Sequence, residues 1–143
     1  MNIRDLEPKG VWTNFDALSQ IPRPSKHEEK VEQYLLDWGK AHNVDVRKDE
    51  TGNIIFTKPA TPGYENRRGV IFQAHMDMVP QKTAETVHDF LTDPIQTEID
   101  GEWVKAKGTK LGADNGTAVC IALAVIEDNT LKNGPNEALI KYD

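Results

Sequence analysis

Cysteine is nearly absent from this chain of 143 residues, in which Cys120 is the single example. An intramolecular disulfide is therefore impossible, which is typical of proteins that stay in a reducing compartment such as the cytosol. The amino terminus, Met1-Asn-Ile-Arg-Asp5, also lacks the apolar core of a signal peptide. These two absences predict a cytoplasmic protein.

Long hydrophobic runs and an excess of positive charge are missing too. No segment approaches the ~20 apolar residues that a membrane-spanning helix requires. The formal net charge is -6, and the sequence contains no cluster of lysine and arginine residues. We therefore expect neither a membrane nor a nucleic acid as a partner. No repeat, low-complexity tract or linker divides the chain, whose length suits one domain.

The spacing of apolar residues predicts a mixture of helices and strands. Apolar residues recur with helical periodicity in some segments and form short β-prone runs in others. The predicted helices lie near 11–19, 26–42 and 115–127. The predicted strands lie near 44–48, 53–58, 69–75 and 137–142, with a further hairpin at 95–107. This order predicts an α/β fold in which helices flank a mixed sheet.

Two local motifs refine this prediction. Ser25 and Glu28 match a capping box, in which a serine side chain begins a helix and a glutamate three residues later reaches back to it. Asp100-Gly101 between two β-prone runs is typical of a type I′ hairpin turn. We therefore expect a helix that starts directly after Ser25, and a tight turn inside the hairpin, near the end of the sheet.

The stretch from Gly69 to Pro80 carries the first chemical signal. Its apolar run, Val70-Ile-Phe72, predicts a strand that is buried on both faces. His75 and Asp77 follow two residues apart, so they project to the same side at the carboxyl end of the strand, where α/β sheets place their ligand sites. The pair fits a metal-binding histidine and the carboxylate that holds its second ring nitrogen. A solvated loop is the alternative interpretation of the same pair.

A glycine-rich stretch from Lys107 to Gly116 carries the second signal. Asp114 lies where this loop leads into a buried helix, so it is either a helix N-cap or a carboxylate aimed at a metal beside His75. The glycine spacings of phosphate-binding loops are absent, which disfavours a phosphate site. The other histidines are predicted to be surface residues rather than ligands: His27, His42 and His88.

Five motifs together resemble the aminoacyl-histidine dipeptidases, which belong to the group of co-catalytic zinc aminoacylases, carboxypeptidases and dipeptidases. The matching pieces are Ile21-Pro-Arg-Pro-Ser-Lys-His-Glu-Glu29, His75-Met-Asp-Met-Val-Pro-Gln-Lys82, Val87-His-Asp-Phe90, Asp100-Gly-Glu-Trp-Val104 and Gly108-Thr-Lys-Leu-Gly-Ala-Asp-Asn-Gly116. The resemblance implies a three-layer zinc-peptidase-like catalytic domain. It assigns His75 as a zinc ligand, Asp77 as the catalytic carboxylate that orients it, and Asp114 as the carboxylate that bridges two zinc ions. Histidine and carboxylate ligands also admit manganese or cobalt.

The resemblance further implies that residues 1–143 are only the N-terminal portion of such a domain. The family's Glu-Glu pair, which contains the general base, is expected directly after the strand that ends at Asp143. The family's site also includes a further carboxylate, a distant histidine and a lid domain that mediates dimerisation, and we expect all three to be missing from residues 1–143. We therefore expect a parent enzyme that hydrolyses dipeptides of the Xaa-His type and assembles as a homodimer, and a chain that is inactive alone. The alternative is a complete, non-catalytic interaction module that docks through the exposed edge and uncovered face of its C-terminal strand.

Overall fold

The computed structural model describes residues 1–142. A short 3₁₀ helix at Ile3–Asp5 precedes three α-helices: α1 (Lys9–Ser19), α2 (Glu29–Ala41) and α3 (Ala113–Glu127). The strands are β1 (Asp45–Lys48), β2 (Ile54–Lys58), β3 (Val70–His75), β4 (Thr97–Asp100), β5 (Trp103–Ala106) and β6 (Asn136–Lys141). Every predicted helix and strand is therefore present, with its ends shifted by a few residues. Asp143, the last residue of the segment that we expected to lead into a Glu-Glu pair, lies outside the described residues.

Four of the strands form a mixed sheet in the order β1-β2-β6-β3. β6 runs antiparallel to β2 on one side and parallel to β3 on the other. β4 and β5 form a separate two-stranded sheet. The predicted mixed α/β fold is confirmed.

The hydrophobic core lies between one face of the sheet and the helices. Ile54 pairs with Ile140 and Phe56 with Ala138, and all four side chains are fully buried. Helix α2 packs over strands β1 and β2, and the ring of Trp38 meets the ring of Phe56 edge-on at 5.6 Å between centroids. Helix α3 packs on β3 and β6 and also against α1. Burial of this apolar surface is the main force that stabilises the fold.

The opposite face of the sheet is open across β3 and β6. Ile71 is 66% exposed there, and Gln73, Glu137 and Lys141 on the same face are exposed as well. Within residues 1–142 the helices therefore supply a layer on one side of the sheet, which gives two of the three layers that the resemblance implies. His75 lies on the same side of β3 as Ile71 and Gln73, because every second residue of a strand points the same way, so it projects toward this open face.

β3 is an edge strand, and the prediction that it is buried on both faces is wrong. The described part of the chain places β6 beside it on one side only. Val70 and Ile71 are exposed, Ile71 because it lies on the uncovered face of the sheet. β6 has strand partners on both of its sides. The C-terminal strand therefore has no free edge, so the edge that the interaction-module alternative expected is absent from the described residues. The uncovered face that it also expected is present across β3 and β6.

The two local motifs also fold differently from the prediction. Helix α2 begins at Glu29, and Glu28 takes the N-cap position without a side-chain capping bond. Lys26 adopts a left-handed conformation with φ +76, which a helix does not accept, so Ser25 cannot cap α2. In the hairpin, Asp100 pairs with Trp103, so Gly101 and Glu102 are the two loop residues. Gly101 has φ +61, whereas Glu102 does not have a positive φ. This is the type II′ arrangement rather than type I′.

The reactivity of the Cys120 thiol provides a direct test of how α3 packs. Its side chain is fully buried, and burial raises the pKa of its thiol to about 12. Because the thiolate is the reactive form, we expect no reaction with a disulfide reagent such as DTNB in the native protein at mildly alkaline pH. One equivalent should react after denaturation. Rapid labelling of the native protein would show that α3 does not pack as described.

Candidate metal centre

The two predicted metal ligands, His75 and Asp114, come together in the structure. His75 is the last residue of β3 and Asp114 lies at the start of α3. Nε2 of His75 is 3.2 Å from Oδ1 of Asp114. The Asp114 side chain is 95% exposed, so its carboxylate remains accessible from solvent. Two donors from distant parts of the chain thus converge on one point.

Asp77 holds the other side of the His75 ring. Its Oδ1 lies 2.8 Å from Nδ1 of His75, and the residue is only 7% exposed. Both ring nitrogens of His75 therefore face a carboxylate oxygen, Nδ1 that of Asp77 and Nε2 that of Asp114. With the proton on Nδ1, Nε2 has a lone pair available for a metal ion. This is the arrangement found around metal-binding histidines.

The start of α3 is irregular, and this irregularity places Asp114. Gly112 takes the N-cap position at φ +82, while Asp114 and Asn115 have non-helical dihedrals. The Asp114 side chain contacts His75 and accepts no backbone N–H of the described residues, so the alternative in which Asp114 caps the helix is wrong. The peptide bond between Asp114 and Asn115 is cis. The Asn115 side-chain oxygen accepts the backbone N–H of His75 at 2.9 Å, so the start of α3 is tied to the end of β3.

A buried arginine links the same two segments a second time. Arg23 is 3% exposed, and it donates from Nη1 to the carbonyls of Met76 at 3.1 Å and Asp77 at 3.3 Å. Its Nη2 donates to the carbonyl of Gly112 at 2.9 Å. A Cβ at Gly112 or Gly116 would lie 2.6 or 2.7 Å from this Nη2, so both glycines leave room for the guanidinium. Burial lowers the pKa of Arg23 to about 10, which still leaves it charged at neutral pH.

Ser25 contacts the carboxylate that holds His75. Its hydroxyl donates to Oδ2 of Asp77, the oxygen that does not face the histidine. The sequence prediction missed this role, because Ser25 matched a helix cap. It also gave no role to Arg23 or Asn115. The one signal for Arg23 was a charged residue between two prolines, Pro22 and Pro24.

The remaining histidines stay away from this cluster. His27 is exposed. His42 stacks on Trp38 at 4.0 Å between ring centroids and pairs with Glu127 at 3.1 Å. His88 packs against Phe90 at 4.5 Å. Among residues 1–142, no group of three or more His, Cys, Asp or Glu side chains is arranged to hold a metal ion. His75 and Asp114 therefore fit part of a metal shell, since a zinc ion takes about four donors.

Comparison with known proteins first identifies the class that this fold resembles. No family model matches the chain. Its fold is similar to that of a dinuclear metal-binding peptidase of the M20 family from Bacillus subtilis, with a TM-score of 0.55 over 91% of this chain and 34% of that chain. The identity is 16%, so this likeness concerns the fold alone.

Two much closer relatives are dipeptidases. The structure of aminoacylhistidine dipeptidase from Vibrio alginolyticus matches with 53% identity and a TM-score of 0.97, over 100% of this chain and 29% of that chain. The cytosol non-specific dipeptidase of Escherichia coli (strain K12) is 51% identical over 138 residues, which is 96% of this chain and 28% of the relative. The predicted resemblance to the aminoacyl-histidine dipeptidases is confirmed. The chain spans less than a third of the length of these relatives.

Residues 1–142 contain no helix long and apolar enough to cross a membrane.

Proposed function

We propose that residues 1–143 are the N-terminal portion of the catalytic domain of a metal-dependent dipeptidase. One observation carries this proposal: His75, held at Nδ1 by Asp77, directs Nε2 at the exposed carboxylate of Asp114 from 3.2 Å. The names of the two close relatives support dipeptides as the substrate class, and dipeptides ending in histidine are the specific proposal. The chain then carries half of an active site and is inactive alone.

The proposed metal is zinc, and manganese or cobalt would accept the same ligands. His75 and Asp114 would be metal ligands, and by the resemblance to the dipeptidases the carboxylate of Asp114 would serve both ions. Asp77 would keep the proton on Nδ1, which maintains Nε2 as a donor throughout the reaction. Two bound ions supply an activated water and polarise the peptide carbonyl. The other ligands, the general base and the lid would come from the part of the parent that this chain does not span.

The proposed compartment and binding partners rest on the comparison and on the sequence. A relative named as cytosolic and the single buried cysteine favour a cytoplasmic protein. The net charge of -6 disfavours nucleic acid. A small peptide is the proposed substrate and a homodimer the proposed assembly of the parent, with no membrane partner.

A chimera provides the test. This chain replaces the matching 138-residue segment of the Escherichia coli enzyme, and the unmodified enzyme serves as the control. We expect the chimera to hydrolyse dipeptides, to lose activity on metal chelation and to recover it with added zinc, while the 143-residue chain alone is inactive. Comparison of kcat/KM for dipeptides with and without a C-terminal histidine tests the substrate. A folded, metal-loaded chimera without activity, or an active isolated chain, would contradict the proposal.

A further inference from the structure

We propose that Ser25 is a positioning residue of the metal centre. Its hydroxyl fixes the carboxylate of Asp77, and this carboxylate in turn keeps His75 in the tautomer that leaves Nε2 free for a metal. The inference deepens the proposed metal site and rests on it. It gives a role in the chemistry to a residue that the sequence pattern assigned to a helix cap.

The two oxygens of Asp77 have separate partners. Oδ1 faces Nδ1 of His75 at 2.8 Å, and Oδ2 accepts the hydroxyl of Ser25. The carbonyl of Met78 also lies 3.4 Å from the Ser25 oxygen, but a carboxylate is the stronger acceptor. Because Asp77 is almost completely buried, an Oδ2 atom without the hydroxyl would have to turn toward solvent to regain a partner. Such a turn would also move Oδ1 away from the histidine.

The backbone holds Ser25 in place for this contact. The N–H of Ser25 donates to the carbonyl of Met78 at 3.1 Å, and the N–H of Met78 donates to the carbonyl of Arg23 at 2.9 Å. Residues 23–25 thus run beside the residues that follow β3, with a parallel bridge between Pro24 and Met78. Two backbone bonds and the Arg23 side chain fix Ser25 more firmly than a solvated loop residue.

The turn after Pro24 directs the serine side chain. The N–H of His27 donates to the carbonyl of Pro24 at 2.9 Å, and Lys26 occupies the third turn position at φ +76. This is the geometry of a type II turn, which normally has glycine at that position. A left-handed lysine costs free energy, and the chain adopts it where Ser25 reaches Asp77.

The tautomer of His75 is the property that Ser25 would control. A neutral imidazole carries its proton on one nitrogen only. Both nitrogens of His75 face a carboxylate, Asp77 at 2.8 Å and the exposed Asp114 at 3.2 Å, so a firmly held Asp77 favours the proton on Nδ1. A loosely held acceptor permits both tautomers. The hydroxyl therefore acts on the metal-binding nitrogen through two hydrogen bonds in series, without contact to the metal or the substrate.

The test measures this tautomer in the metal-free 143-residue chain. Nitrogen-15 NMR of the ring, at a pH where the imidazole is neutral, distinguishes the two forms. We expect His75 to carry its proton on Nδ1 in the wild type and to become a mixture of tautomers in Ser25→Ala. Ser25→Thr keeps the hydroxyl and should restore the wild-type form. The matched control is Ser19→Ala, because Ser19 is also buried but its hydroxyl has no hydrogen-bond partner within residues 1–142; it should leave the tautomer unchanged.

A Ser25→Ala chain whose His75 stays entirely in the Nδ1–H form would overturn the inference, and so would an equal shift in Ser19→Ala. In the chimera, Ser25→Ala should weaken metal affinity by about two- to tenfold, the range for one hydrogen bond. An unchanged affinity would overturn the inference as well. Because the NMR measurement needs neither metal nor activity, an inactive chimera with a shifted tautomer would contradict the proposed function while supporting the role of Ser25.

Discussion

Replacing His75 by alanine in the chimera is expected to lower kcat/KM by about 10³-fold or more. The substitution removes the nitrogen donor that faces Asp114 at 3.2 Å. A catalytic metal supplies several kcal/mol of transition-state stabilisation, and each ~1.4 kcal/mol corresponds to tenfold in rate. Kinetic assays with a dipeptide substrate measure the loss, and elemental analysis of the purified protein measures the accompanying loss of bound metal.

The matched control for this prediction is His27→Ala. His27 is exposed, lies outside the cluster and belongs to the same stretch that resembles the dipeptidases. Exposed substitutions usually change free energies by less than ~0.5 kcal/mol, so we expect kcat/KM to stay within about twofold. Equal losses in both variants, or a His75→Ala protein with full metal content and activity, would show that His75 is not a ligand.

Replacing Arg23 by methionine is expected to lower the free energy of unfolding by about 2–5 kcal/mol. Methionine fills much of the space but removes the guanidinium, which leaves the carbonyls of Met76 and Asp77 without a donor among the described residues. The carbonyl of Gly112 still accepts the N–H of Gly116. A buried acceptor without a partner costs ~1–3 kcal/mol. Part of this loss of stability is offset because the variant no longer buries a charged group. Urea denaturation followed by circular dichroism gives the difference.

Two further variants make this measurement specific. Arg23→Lys keeps the charge but offers a single point donor in place of a planar fork, so its loss should be smaller than that of methionine but still measurable. Arg68→Met removes an arginine from an exposed position and should change stability by less than ~0.5 kcal/mol. If Arg23→Met were as stable as Arg68→Met, Arg23 would not clamp the end of β3 to the loop before α3.

The sequence predicts the elements of this fold better than their arrangement. Helices α1, α2 and α3 show their periodicity within one segment, so local patterns are sufficient to find them. The position of β3 at the sheet edge depends on β6, which pairs with it from more than 60 residues further along the chain. An apolar run such as Val70-Ile-Phe72 has the same composition in an edge strand as in a central one. Strand order therefore could not be predicted from the run itself.

The candidate site shows the same division. His75, Asp77 and Asp114 were predicted because strand ends and loops before helices are where ligands occur, and the structure brings these three side chains together. Ser25 and Arg23 were missed because their partners are backbone and side-chain groups distant in sequence. Ser25 followed by Glu28 matches a capping box wherever it occurs, and only the left-handed Lys26 shows that the helix starts later.

The edge position of β3 has a practical consequence for handling the isolated chain. Its outer row of backbone N–H and C=O groups has no strand partner within residues 1–142, and the neighbouring Val70 and Ile71 side chains are exposed. An apolar strand edge of this kind is a template on which a second molecule can pair. The tendency of the purified chain to associate thus depends on protein concentration and salt, even when the chain is correctly folded. Dilute, low-salt conditions, in which the net charge of -6 keeps molecules apart, are the ones that suit it.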